Sequence, residues 1–289
     1  MSERTTKTLD VPGATLRYDV REAASETTAP VLLMIGSPMD ASGFATLATH
    51  FPDRTVVTYD PRGVGRSERA DGATGSTPEE HADDLHRVIA GLGAGQVDVF
   101  ATSGGAVNAL ELVARHPEQV RRLVAHEPPL ATVLADRDEV LAAVAHVHET
   151  YQRAGFGPAM AKFIALTMVK GPIPAEFPDQ QVDPAAFGLP SEDDGARNHP
   201  LLGTHIIHVT NYEPDFDALR SAPTRIVAAA GSQSEGGLTY RAALALAEGL
   251  GTEATIFPSH HAGFAGDEAP QPGDPEAFAA RLHEVLSAA

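Results

Sequence analysis

The feature that most narrows what this chain can fold into is an alternation of two patterns. Short apolar runs at residues 31–35, 55–59, 97–101, 120–125, 225–230 and 254–257 are separated by segments of helical periodicity. Runs of this length read as strands buried on both faces. Between them, Leu85, Val88, Ile89 and Leu92 fall on one helical stripe, and Phe278, Leu282, Val285 and Leu286 form another near the end of the chain. Strands separated by amphipathic helices imply βαβ units, and so a mostly parallel sheet with helices on both faces. Residues 8–11 and 14–20, meeting at Pro12-Gly13, predict a leading hairpin and bring the expected sheet to eight strands.

The alternation stops between about residues 129 and 221. Helical patterns at 138–154, 158–169 and 201–212 surround a Pro-, Asp- and Gly-rich stretch at 171–200, which predicts a long loop. A strand-free segment between two sheet strands reads as an inserted helical cap. The expected division is a core of residues 1–128 and 222–289 and a cap of residues 129–221.

Composition removes several function classes. With 43% apolar and 21% charged residues, the chain can bury a sizeable core. A formal net charge of -18 leaves no cationic surplus for displacing phosphate counterions, which argues against nucleic acid as a partner. There is no cysteine, so disulfides, thiolate metal sites and cysteine nucleophiles are excluded. No apolar run approaches the roughly 18 residues of a membrane span, and residues 1–10 are polar, unlike a signal peptide. The expectation is a cytoplasmic enzyme with no membrane partner and a small-molecule substrate; a homo-oligomer is compatible with the sequence.

The chemistry is concentrated at a strand, a tight turn and a helix. Residues 97–105 read Val-Asp-Val-Phe-Ala-Thr-Ser-Gly-Gly, followed by the helical stripe Val107, Leu110, Val113 and Ala114. Ser103 on such a turn is lifted above the sheet, and its small neighbours let strand and helix approach closely. The helix N-terminus would offer free N–H groups to an oxyanion. Taken alone, a serine in this setting is more often a helix N-cap. A second Gly-containing turn ends the strand at residues 31–35 and runs Gly36-Ser37-Pro38-Met39-Asp40. Pro38 has no N–H, so Ser37 and Gly104 are the expected backbone donors of an oxyanion hole.

After the next strand comes Asp60-Pro61-Arg62-Gly63-Val64-Gly65-Arg66-Ser67. With this stretch in place, the chain resembles the α/β-hydrolase superfamily, in the branch of haloperoxidase-like esterases, epoxide hydrolases and haloalkane dehalogenases. The resemblance covers roughly residues 7–128 and 222–289. It implies an α/β-hydrolase fold in which Asp60 and Arg62 are scaffold. One departure is Ala101, where the family's Gly-x-Ser-x-Gly turn has its first glycine.

The resemblance also implies the base. Ser259-His260-His261-Ala262-Gly263-Phe264 follows the last predicted strand, and the family's His-x-Gly-Phe pattern selects His261 over His260. The acid departs from the usual pattern. It is expected after the strand at 225–230, but Gly231-Ser232-Gln233-Ser234-Glu235 places a serine at that position. Two carboxylates compete. Glu127 follows Ser103 by 24 residues, a spacing similar to the acid position of some haloalkane dehalogenases, and Glu235 is the alternative.

A serine nucleophile favours acyl chemistry on an ester, lactone or related substrate, since alkyl-carbon opening in the related families uses a carboxylate. The resemblance suggests a small hydrophobic substrate, as in polyketide methylesterases. Met39, Phe163, Met168, Ile206 and Tyr212 are candidates for its pocket. No cofactor or metal is expected; His205 and His208, three apart, read as one face of a surface helix. Two other readings stay open: a cofactor-free perhydrolase or haloperoxidase on the same triad, and a non-catalytic ligand-binding relative.

Overall fold

The computed structural model describes residues 4–288. A leading hairpin, β1 (Arg4–Val11) and β2 (Ala14–Arg21), is followed by β3 (Leu32–Ile35), β4 (Val56–Asp60), the two-residue β5 (Glu68–Arg69), β6 (Val97–Thr102), β7 (Val120–His126), β8 (Arg225–Gly231) and β9 (Thr255–Phe257). Eight of them run in the order β1-β2-β4-β3-β6-β7-β8-β9, with β5 paired to β2 at the side. From β4 to β9 every pairing is parallel, and β2 joins antiparallel to both β1 and β4. All eight expected strands are present. The ninth, β5, was not anticipated: a charged Glu-Arg pair carries no apolar signal, and β2 supplies its partner.

Successive residues of a strand point to opposite faces, and the core divides accordingly. Leu33 and Ile35 of β3 join Val57, Val99 and Leu123 in one buried cluster. Leu32 and Met34 join Val56, Phe100 and Val124 in the other. The first face is covered by α1 (Pro78–Leu92), α2 (Gly104–Arg115) and α7 (Leu238–Leu250), and the second by α8 (Pro275–Ser287). The sequence shows why α1 begins where it does. Thr77 accepts from the Glu80 N–H while the Glu80 carboxylate accepts from the Thr77 N–H, and Pro78 occupies the first turn.

Between β7 and β8 lie α3 (Arg137–Ala154), α4 (Phe156–Met168), α5 (Ile206–Thr210) and α6 (Phe216–Ser221), with no strand among the described residues. Residues 171–200 contain only two short 3-10 turns, Phe177–Asp179 and Pro184–Phe187. The expected helix over 201–212 is broken. Leu201–His205 winds as a wide π-type turn with non-helical backbone at Gly203, and α5 then runs only to Thr210. Val140, Val144 and Val147 of α3 and Ile206 and Val209 of α5 belong to the same buried cluster as α1 and α2, so the inserted helices pack on the sheet's own core. Among the described residues, no helix is long and apolar enough to cross a membrane.

The Asp60-to-Ser67 turn is a scaffold, as expected. Asp60 accepts from the backbone N–H of Ala41 (3.0 Å) and of Arg66 (2.8 Å), and the Ser67 hydroxyl donates back to the Asp60 carbonyl (2.6 Å). Arg62 reaches α1 and donates twice to Asp84, at 2.7 and 2.6 Å.

Candidate active site

Three chain crossings converge at the carboxyl ends of the central strands, where ligands bind in open parallel sheets. Thr102 of β6 pairs with His126 of β7, and the next residue along each strand is Ser103 and Glu127. The ladder continues one step, the Ser103 N–H donating to the His126 carbonyl and the Glu127 N–H to the Ala229 carbonyl, both at 2.9 Å. Both residues then turn to positive φ, 55° at Ser103 and 48° at Glu127. That region is costly for residues other than glycine and persists where the surroundings over-determine it.

Ser103 stands at the N-cap position of α2, but its hydroxyl makes no capping hydrogen bond. The bland reading of this serine as a helix cap is therefore set aside. Its backbone (φ 55°, ψ -131°) points the side chain away from the helix entry that a cap would use. The glycines that follow are needed for space. A Cβ on Gly105 would meet the Ile35 carbonyl oxygen at 2.6 Å and Gly36 Cα at 2.9 Å, so α2 can lie this close to β3 only without one. A Cβ on Gly104 would meet the Ser37 carbonyl oxygen and His205 Nε2, each at 2.6 Å. Ser37, Gly104 and the start of α2 are thus in direct contact.

His261 lies in the loop between β9 and α8, and its Nδ1 is 2.6 Å from Glu127 Oε2. The carboxylate is fully buried and has two further donors: the Gly231 N–H to Oε1 (2.8 Å) and the Thr239 hydroxyl to Oε2 (3.0 Å). Burial alone would raise the Glu127 pKa. The hydrogen bond to His261, the charges of His261 and His126 and the Gly231 N–H outweigh it and hold the carboxyl well below the usual carboxylate range. Ionised Glu127 then requires a proton on His261 Nδ1, which leaves Nε2 as the nitrogen free to act as a base. Among the described residues, no hydrogen bond joins the Ser103 hydroxyl to His261.

Of the two competing carboxylates, Glu127 is the one against His261. Glu235 is exposed in the turn after β8 and takes no part in that hydrogen-bond network. The physical reason is the strand order. Because β7 lies beside β8, the Glu127 side chain reaches the β8 exit from the neighbouring strand and binds Gly231, the last residue of β8. His126 faces the opposite way, as expected. Its Nδ1 meets the Thr102 hydroxyl at 3.0 Å, its ring packs against Phe278 and Phe257, and burial lowers its pKa to about 4.

The pocket candidates separate. Ile206 is buried beside His205, and Met39 packs its thioether against Gly36 and Gly43, beneath the Ser37 turn. Tyr212 is buried, with its hydroxyl donating to Glu111 of α2 at 2.8 Å, and Phe163 packs on the core. Met168, at the end of α4, is 65% exposed and lines no buried surface. The expected surface histidines also need correction. His208 Nδ1 meets the Ser76 carbonyl at 2.9 Å, and His205 is only 7% exposed, because the π-type turn rotates it inward. Sequence reasoning missed the burial of His205; the one available signal was Gly203, two residues before it. Among the described residues, no group of three or more His, Asp or Glu side chains is placed to hold a metal ion.

Comparison with known proteins agrees with this architecture. The family model described as alpha/beta hydrolase fold matches residues 29–232. The uncharacterized hydrolase YraK of Bacillus subtilis is 34% identical over 285 residues, spanning 96% of this chain and 95% of its own. A thermophilic esterase from Thermogutta terrifontis superposes with a TM-score of 0.65 at 19% identity, covering 99% of this chain and 98% of the esterase. Proline iminopeptidase of Mycobacterium smegmatis gives 0.63 at 18% identity, covering 98% and 97%. The chain belongs to the α/β-hydrolase fold family. It is a hydrolase of that type.

Proposed function

We propose that this hydrolase is a serine esterase in the broad sense, cleaving an ester, lactone or related acyl bond of a small hydrophobic substrate through an acyl-enzyme intermediate. The observation that carries this reading is the 2.6 Å contact between Glu127 and His261 Nδ1, set one strand over from a serine held at positive φ. It supports reading Ser103 as nucleophile, His261 as base and Glu127 as the orienting acid.

In the first half-reaction, His261 Nε2 takes the Ser103 hydroxyl proton as Oγ attacks the carbonyl carbon. The carbonyl π electrons move to oxygen, and the resulting oxyanion accepts hydrogen bonds from the backbone N–H of Ser37 and Gly104. When the tetrahedral species collapses, the bond to the leaving oxygen breaks and His261 returns its proton to that oxygen. The alcohol leaves and Ser103 is acylated. In the second half, His261 takes a proton from water, the hydroxyl attacks the acyl carbon, and Ser103 Oγ leaves and is reprotonated by His261. Glu127 stays ionised throughout and stabilises the imidazolium. The missing Ser103–His261 hydrogen bond is one that forms as substrate binds, since such contacts commonly tighten only in the substrate complex.

Ile206, next in sequence to His205, and Met39, packed against Gly36 in the Ser37 turn, are both apolar, which supports a hydrophobic acyl or alcohol group. The absence of cysteine and the net charge of -18 fit a cytoplasmic enzyme. The test is covalent. A fluorophosphonate probe should label the wild-type protein at Ser103 with one-to-one stoichiometry, and S103A should escape labelling and lose p-nitrophenyl butyrate hydrolysis. A folded wild type that resists the probe overturns the proposal.

A further inference from the structure

His205 is a buried, neutral imidazole whose Nε2 has no hydrogen-bond partner. Unpaired buried polar atoms are costly, and one that lies beside a candidate reaction centre calls for a functional explanation. Its position is specific. Nε2 and Cε1 lie over Gly104, at 2.6 and 3.0 Å from where a Cβ would stand, and the Ser37 carbonyl oxygen is also 2.6 Å from that point. The orphaned nitrogen therefore sits at the junction of the two residues proposed as oxyanion donors.

We infer that His205 supplies a third, side-chain donor to the oxyanion hole, its Nε2–H adding to the backbone N–H groups of Ser37 and Gly104. This rests on the serine-hydrolase reading above. The residue comes from the inserted helical segment, so that segment would complete the catalytic centre as well as cover it.

Three further observations fit. Burial holds the imidazole down at about 4, against an upward pull from the Ser37 carbonyl, so it is neutral at working pH. A neutral imidazole donates a hydrogen bond without placing a full positive charge beside the general base. The upward pull comes from the Ser37 backbone, so the polar edge of the ring faces the Ser37 turn, where Nε2 has no geometrically satisfied hydrogen bond. Finally, the turn carrying His205 is held in place. Thr204 packs directly on Gly75, His208 binds the Ser76 carbonyl, and the edge of His81, itself buried, lies 6.4 Å from His205 between ring centres. A donor fixed in this way needs little reorganisation when charge develops.

Steady-state hydrolysis of p-nitrophenyl butyrate separates this role from simple packing. In H205F, which fills the same volume without an N–H, kcat should fall by about 100-fold with KM within about threefold, the loss associated with one oxyanion donor. Affinity for a trifluoromethyl ketone, which adds Ser103 and presents an oxyanion, should fall in parallel. H205Q, whose amide nitrogen reaches the position of Nε2, should recover at least a tenth of the wild-type kcat. Unchanged kcat in H205F overturns the inference, as does an H205Q that remains at the H205F level. If H205F does not fold, H205Q and the ketone affinity decide. Fluorophosphonate labelling of the wild type keeps the two readings apart: labelled Ser103 with an indifferent H205F sinks only the role of His205.

Discussion

Glu127 and His261 are 134 positions apart in sequence and 2.6 Å apart in space. The carboxylate follows β7 and the imidazole follows β9, with β8 between those strands. Glu127 bridges the gap by binding Gly231, the last residue of β8, on one oxygen and His261 on the other. In the proposed triad the acid thus comes from one strand inward of β8, while the base stays in the loop after β9.

Replacing the two competing carboxylates tests that assignment. E127Q keeps the shape but removes the charge that orients and stabilises the His261 imidazolium, and kcat should fall by about 10⁴-fold. E235Q, in an exposed turn, should keep wild-type kcat and KM. The reverse ranking would transfer the role to Glu235.

The Glu127 carboxyl also affects acid stability. Its folded pKa lies below the ordinary 4.5, so its contribution is fully present above pH 4.5 and is lost as pH falls further. Urea midpoints of wild type and E127Q should therefore converge as pH drops below 4.5. A difference that holds constant down to the acid transition would contradict the assigned environment.

His126 acts over a different pH window. Its pKa falls from 6.5 to about 4 on folding because it is buried. The unfolded chain then binds the extra proton between those values, so this residue's effect is full stability above pH 6.5 and a decline toward pH 4. The maximum cost is about 3 kcal/mol. H126Q, which does not titrate, should show a flatter loss of melting temperature over this range than wild type.

The glycines after Ser103 should tolerate no side chain. In G105A the new methyl meets the Ile35 carbonyl and Gly36 Cα, both backbone, so α2 must shift away from β3. Overpacking of this kind costs about 1–3 kcal/mol. Because the shift also moves Ser103, G105A should lose activity at temperatures where circular dichroism still reports a folded protein. Full activity in G105A would show that the close approach is dispensable.

Arg62 and Asp84 make a pair with side chains 4% and 0% exposed. Removing one partner strands the other charge, which costs about 3–5 kcal/mol. D84N should lower the denaturation midpoint accordingly while kcat per folded molecule is preserved, because the pair lies in the scaffold. A large kcat loss with unchanged stability would place it in the catalytic machinery instead.

By itself the sequence determined the features that depend on neighbours along the chain. The short apolar runs, the leading hairpin and the helical stripes located eight strands and most of the long helices, and the Ser103-Gly104-Gly105 turn announced itself because only small residues fit between a strand and a helix packed that closely. The family pattern around Asp60 and His261 placed the scaffold turn and the base loop. Tertiary structure decided what depends on which strand ends are adjacent. Glu127 and Glu235 looked comparable as text, and only the sheet order β7-β8-β9 puts one of them against His261. The burial of His205 was also invisible, since a π-type turn at Gly203 rotates the residue by an amount that helical periodicity does not anticipate. Local pattern encodes backbone preference and facing. Contact between groups a hundred or more residues apart is set by the sheet topology, through the packing of the whole core.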